Sequence, residues 1–180
     1  KYLIFKLSHF DMISHLRMEG KFEFHQSTDA LMKHTHVVFK FDDLTELRYL
    51  DVRKFGRFVL VPKNTANSYK GLKKLGPEPI DEDFDLAIFR EQLKKRKKAI
   101  KPLLLDQILV TGLGNIYVDE ALFRSGIHPE QEANTLTTDE IKLLHKEIIA
   151  VLGEAVEAGG TTIRTYQNAL GDAGSFQVSL

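Results

Sequence analysis

The chain has 180 residues, 43% of them hydrophobic, which is enough for one full domain or two small ones with real cores. With no cysteine, it can form neither disulfides, thiolate zinc sites nor cysteine nucleophiles, a usage that fits a reducing cytosol. The formal net charge of zero hides an asymmetry: residues 1–101 hold 21 Lys/Arg against 14 Asp/Glu, and residues 102–180 hold 4 against 11, so a basic front could suit a polyanion.

The first residues, "KYLIFKLSHF", lack the layout of a secretory signal, and no apolar run is long enough to cross a membrane. The front of the chain reads as strands rich in β-branched and aromatic residues: 2–7, 12–18, 21–26, 37–41, 46–50 and 57–61. Short connections such as "SHFD" and "DDLT" favour an antiparallel sandwich or barrel-like sheet over residues 1–61. Residues 62–82 collect turn formers and read as a linker. The period then becomes helical. Helices are predicted over 83–98, from about Pro102 to Gln107, and from Asn115 to Ser125, where Gly126 supplies a left-handed stop. A fourth begins at a Thr137/Glu140 capping box and carries Ile141, Leu144, Ile148, Leu152 and Ala155 as one apolar stripe. The fold class is therefore α+β: an antiparallel β-sandwich portion followed by a helical domain over 83–164. Beyond Gly159-Gly160, the polar, glycine-bearing tail reads as a mobile loop.

Several clusters could carry chemistry. "VRKFGRF" (52–58) closes a strand with Arg53 and Phe55 two residues apart, hence on one side of an extended chain. Its ordinary reading is a surface strand with a bulge at Gly56. With Met18 of "HLRMEG", however, the pair makes a trio able to replace a base removed from a duplex. Methionine and phenylalanine serve as wedges between stacked bases, and a guanidinium offers donors to an orphaned cytosine. "KKRKKAIK" (94–101) is a charged face or a phosphate grip, and it precedes "LVTGLGNIYVDEALF". There Gly112 and Gly114 permit a tight turn, and Asn115 opens a helix whose free N–H groups suit an anion. The third glycine of a dinucleotide fingerprint and the Walker lysine are both absent. His34 and His36 could in principle share a metal, but a phosphate or surface role fits better. Glu120 either bonds the turn or pairs a nearby cation.

Taken in order, "KYLIF", "HLRMEGKF", "KHTHV", "LDVRKFGRF", "LGPEP", "KKAIKPLLLDQ", "GLGNIYVDEALFRSGIHP" and "GGTTIRTYQNALGDAGSFQ" resemble the bacterial formamidopyrimidine-DNA glycosylases. The resemblance spans essentially the whole chain. It implies a bifunctional glycosylase and AP lyase of base-excision repair, removing oxidised purines by base flipping and Schiff-base chemistry. The helical domain would then be a helix–two-turn–helix element. Met18, Arg53 and Phe55 match the intercalating trio. His34, Arg53 and Arg96 match DNA-binding positions, and His15, Lys101 and Asn115 match phosphate contacts. Lys1 matches the proton donor of β-elimination. Thr165, Tyr166 and Phe176 fall in a loop that closes over the flipped base, within a region (165–180) that leads into a zinc finger. The implied partner is double-stranded DNA with a damaged purine opposite cytosine, bound by a cytoplasmic, nucleoid-associated monomer without membrane contact.

The sequence departs from the family at two places. The proline nucleophile and following glutamate of the family start are not found, and neither are the four zinc-binding cysteines. The 180 residues thus read as a central fragment with no cofactor of its own. One structural zinc is expected in the full-length parent. The alternative is a damaged-DNA-binding module that performs no catalysis.

Overall fold

A computed structural model describes residues 2–80, 83–160 and 174–176. They fall into two compact units. One runs up to Leu72 and takes in 158–160 and 174–176, and the other is Lys73–Glu157.

The first unit is built from six strands: β1 (Leu3–Lys6), β2 (Phe10–His15), β3 (Lys21–Gln26), β4 (Thr35–Lys40), β5 (Thr45–Leu50) and β6 (Arg57–Pro62). They form two antiparallel three-stranded sheets, ordered β1-β2-β6 and β3-β5-β4. Alternation places Phe22, Leu47 and Tyr49 on one buried face, with Phe5, Phe39 and Phe58 packed against them. The rings meet mostly edge to face, as at Tyr49–Phe58 with centroids 4.8 Å apart, or tilted, as at Phe22–Tyr49. The core is thus aromatic and lies between the two sheets.

Strand β5 is buried along both faces, including two charges. Arg48 donates from Nε to Glu46 at 2.9 Å, and its Nη atoms donate to the carbonyls of Ala30 (2.9 Å) and Asp29 (2.7 Å). A buried charge needs such saturation, and here it also ties down the loop before β4.

The second unit holds α1 (Leu86–Lys94), α2 (Ile100–Leu105), α3 (Asn115–Arg124) and α4 (Thr138–Glu157). The α4 stripe Ile141, Leu144, Ile148, Leu152 and Ala155 is buried, joined by Val151. The capping box forms as the sequence pattern requires. The Thr137 amide donates to Glu140 Oε2, and the Glu140 amide donates to Thr137 Oγ1 at 3.2 Å. Helix α1 ends at Lys94, four residues short of the expected end. The cations that follow are therefore spread over an irregular connection and the start of α2. No helix among the described residues is long and apolar enough to cross a membrane.

Candidate nucleic-acid interface

Strand register decides where the first unit's turns emerge. His15 pairs with Arg57, Lys21 with Leu50, and Thr35 also with Leu50. The connections 16–20 and 51–56 and the end of the loop before β4 therefore leave the sandwich at one end. These are the stretches that carry Met18, Arg53, Phe55 and His34.

Met18, Arg53 and Phe55 all lie outside strands, contrary to the extended chain expected for them. Strand β2 stops at His15, and residues 51–56 form an irregular turn before β6. Both turns are folded by residues in the left-handed region, Arg17 at φ 61° and Lys54 at φ 57°. Arg53 and Phe55 nevertheless come together, with the guanidinium carbon 4.7 Å from the ring centroid. Met18 is 74% exposed and Phe55 50%. Large apolar side chains held out on neighbouring turns suit insertion into another molecule.

The 51–56 turn is fastened by a residue that the sequence reading passed over. Asp51 is buried, and its Oδ1 accepts from the Arg53 amide at 3.0 Å. Its Oδ2 accepts from the Gly56 amide at 2.9 Å and from the Tyr49 hydroxyl at 2.8 Å. Burial pushes the carboxyl up, but these bonds, with one from the Lys54 amide, outweigh it and hold Asp51 below its ordinary value. Burial and the neighbouring Asp51 carboxylate together push the Tyr49 phenol up, so it remains a donor. Gly56 does not have a left-handed φ; glycine is needed there because a Cβ would sit 1.7 Å from the Tyr49 hydroxyl. The available signal was Asp at the head of a turn, where it bonds backbone amides further along.

His34, at φ 68°, is half-buried, and its carbonyl accepts from the Asp51 amide at 3.1 Å. His36 Nε2 lies 2.8 Å from the Asp51 carbonyl, which only accepts, so this nitrogen carries the proton. Among the described residues no group of three or more His, Asp or Glu could hold a metal. His15 lines a pocket of about 120 Å³ with Tyr2, Arg17, Arg57 and Tyr69. Its ring meets Tyr2 edge to face at 4.7 Å, and its Nδ1 accepts from the Arg17 amide at 3.1 Å. Tyr2, Arg17, Arg57 and Tyr69 had no sequence signal beyond residue type. Lys1, Thr165 and Tyr166 lie outside the described residues. Phe176 is fully buried, and its amide donates to the Gly160 carbonyl at 3.1 Å.

In the second unit, Gly112 takes φ 91°, and Gly114 caps α3 in an extended conformation without a side-chain bond. Asn115, the first residue of α3, is exposed. Gln107, itself left-handed at φ 61°, braces this turn. Its Oε1 accepts from the Gly112 amide at 3.0 Å, and its Nε2 donates to the Leu113 carbonyl. Lys101 lies against the same helix, 2.7 Å from Asp119, one turn beyond Asn115. Arg96 is apart from this pair, donating to the Gln92 carbonyl at 2.6 Å. Glu120 pairs Arg124 at 2.6 Å, and Arg124 reaches Glu154 at 2.9 Å, clasping α3 to α4. Glu120 is therefore structural.

The turns of the first unit can wedge apolar groups into a stack and offer guanidinium donors, and, separately, the α3 start of the second can accept an anion. Two family models match: the formamidopyrimidine-DNA glycosylase N-terminal domain over residues 1–58, and the formamidopyrimidine-DNA glycosylase H2TH domain over residues 75–167. The chain is 68% identical to formamidopyrimidine-DNA glycosylase of Enterococcus faecalis and 54% identical to that of Bacillus licheniformis, with all of the chain covered in both. It spans 64% and 66% of the length of those two relatives. A solved complex of Lactococcus lactis Fpg with DNA containing an abasic site superimposes with TM-score 0.93 at 50% identity, covering 100% of this chain and 66% of that one. A complex of a Lactococcus lactis FPG mutant with DNA containing Fapy-dG matches at TM-score 0.93 and 49% identity, with the same coverage. The chain belongs to the formamidopyrimidine-DNA glycosylase family.

Proposed function

We propose that this chain is the lesion-finding part of a DNA glycosylase and AP lyase that removes oxidised purines in base-excision repair. The observation that carries the reading is the convergence of Met18, Arg53 and Phe55 on exposed turns at one end of the sandwich. Met18 and Phe55 wedge into the stack, and the damaged nucleotide leaves it, at least cost where pairing is already abnormal. Arg53 donates to the O2 and N3 of the cytosine left behind. His34 and Arg96 add DNA contacts. His15 and Lys101 hold phosphates, as does Asn115 at the start of α3.

The cleavage chemistry itself belongs to the complete protein. An N-terminal proline amine, implied by the family, attacks C1′ and displaces the base, leaving a Schiff base. Lys1 then transfers a proton during β-elimination. The 180 residues contain no cysteine, so the family's structural zinc would be held by other parts of the complete protein. Thr165 and Tyr166 belong to a segment that closes over the flipped base. The complete protein acts as a monomer in the cytoplasm, at the nucleoid, on lesions opposite cytosine.

The test is to incubate the complete protein with an 8-oxoguanine:cytosine duplex and borohydride. A trapped covalent adduct and a nicked strand are expected; with neither, the assignment falls. A second reading applies to the 180 residues alone: a damaged-DNA-binding module, supported by the exposed Met18 and Phe55 turns. It predicts salt-dependent binding to damaged duplex without base release.

A further inference from the structure

We propose that Tyr49 and Asp51 form one positioning hub that locks the Met18 turn and the Arg53/Phe55 turn into a single probe. The inference rests on the reading that these turns enter DNA. Its physical basis is the placement of the Tyr49 hydroxyl, which is wedged between two glycines, one in each turn. A Cβ on Gly20 would lie 2.6 Å from that oxygen, and a Cβ on Gly56 would lie 1.7 Å from it. Neither glycine has a left-handed φ, so the backbone angle does not call for glycine at either position. Close approach does: to the phenol at Gly56, and to the phenol together with the Leu16 carbonyl, 2.5 Å from such a Cβ, at Gly20.

Gly20 closes the Met18 turn, its amide donating to the Leu16 carbonyl at 3.2 Å. Gly56 closes the other, its amide donating to Asp51 Oδ2 at 2.9 Å. The same Oδ2 accepts from the Tyr49 hydroxyl, and Oδ1 holds the Arg53 amide, so each turn is referred to the Tyr49–Asp51 pair. The Asp51 amide also bonds the His34 carbonyl, which ties a fourth residue of the proposed DNA face to the same position.

Asp51 is buried and has no ion pair among the described residues. A lone buried carboxylate is a costly way to stabilise a fold. It is, however, the one side chain of this size with two acceptor oxygens. Asparagine has one, so it cannot serve both the Arg53 amide on one side and the Gly56 amide on the other. A hub explains the choice, because wedge and reader must enter the duplex in one fixed relation. Preorganisation removes the ordering cost that two independent turns would bring to binding.

The experiment compares Asp51→Asn and Tyr49→Phe in the full-length protein. Amide hydrogen exchange is expected to quicken at least about tenfold at Arg53 and Gly56 in D51N. In Y49F it is expected to quicken in both 16–20 and 51–56. Affinity for a duplex with an abasic-site analogue should fall about tenfold, against less than about twofold for undamaged duplex. A 2-aminopurine beside the site should lose its unstacking signal. Acceleration confined to one turn in Y49F, or an equal loss on damaged and undamaged duplex, would overturn the hub. If D51N does not fold, Y49F carries the same decision. Should the wild type show no preference for the damaged duplex, the functional reading fails, and the exchange data still decide whether the turns are coupled.

Discussion

Gly56 and Gly126 show that two glycines can be needed for opposite reasons. A Cβ on Gly126 would meet nothing within 4 Å, and its φ of 65° supplies the left-handed stop after α3. Substitution to alanine there costs the left-handed conformation alone, about 1 kcal/mol. At Gly56 the obstacle is a ring atom of Tyr49 at 2.6 Å as well as its hydroxyl, and that ring is packed into the aromatic core. Gly56→Ala is therefore expected to cost about 2–3 kcal/mol, as overpacking does. Urea unfolding of the two variants checks this; equal midpoints would mean that Tyr49 moves freely.

Among the elements, α4 is the one most fully determined by local rules, and its start can be tested by pH. Bonds from the Thr137 amide, then from its hydroxyl, hold the Glu140 carboxyl below the ordinary carboxylate value. A depressed folded-state value means that the contribution is complete above about pH 4.3 and is lost as pH falls through the lowered value. Thr137→Ala should cost about 1 kcal/mol at neutral pH, and the deficit relative to wild type should shrink in acid. Denaturant melts at neutral pH and near pH 3 read the difference. The helix was legible in advance because both its period and its capping box are local. The strands were legible for the same reason, and β3 keeps the boundaries predicted from alternation. The probe turns were not legible. Arg17 and Lys54 adopt left-handed angles that nothing in their residue type announces, so β2 was read three residues too far and 51–56 as extended chain. Tyr49 resembles any strand residue and Asp51 any turn-opening aspartate until the fold brings Gly20 and Gly56 to them. Residue chemistry suggested Met18, Arg53 and Phe55 and the family resemblance matched them, but only tertiary packing shows what holds them.

For the molecule as a whole, zero net charge is no obstacle to binding a polyanion if cations are freed locally. Lys101 is not free: Asp119 holds it at 2.7 Å, and a phosphate must displace or share that carboxylate. Asp119→Asn is thus expected to raise duplex affinity severalfold at about 50 mM salt, with the gain fading as salt rises. Lys101→Ala should instead flatten the salt dependence, reducing the slope of log K against log salt by about 0.9. A filter-binding series over salt concentration measures both. If neither substitution changes the slope, Lys101 does not touch phosphate.

The order of the two units along the chain has a consequence for their making. The helical unit is one continuous stretch, Lys73–Glu157, whereas the strand unit is completed by residues on its far side, where buried Phe176 returns to Gly160. During synthesis every residue of the helical unit has been added before the chain reaches Phe176. Its contacts are local and helical, the kind that form fastest. Within these residues the strand unit has members on both sides of the helical one. The turns that carry Met18 and Phe55 therefore belong to a unit that gains its Phe176 anchor only after the helical unit has been synthesised.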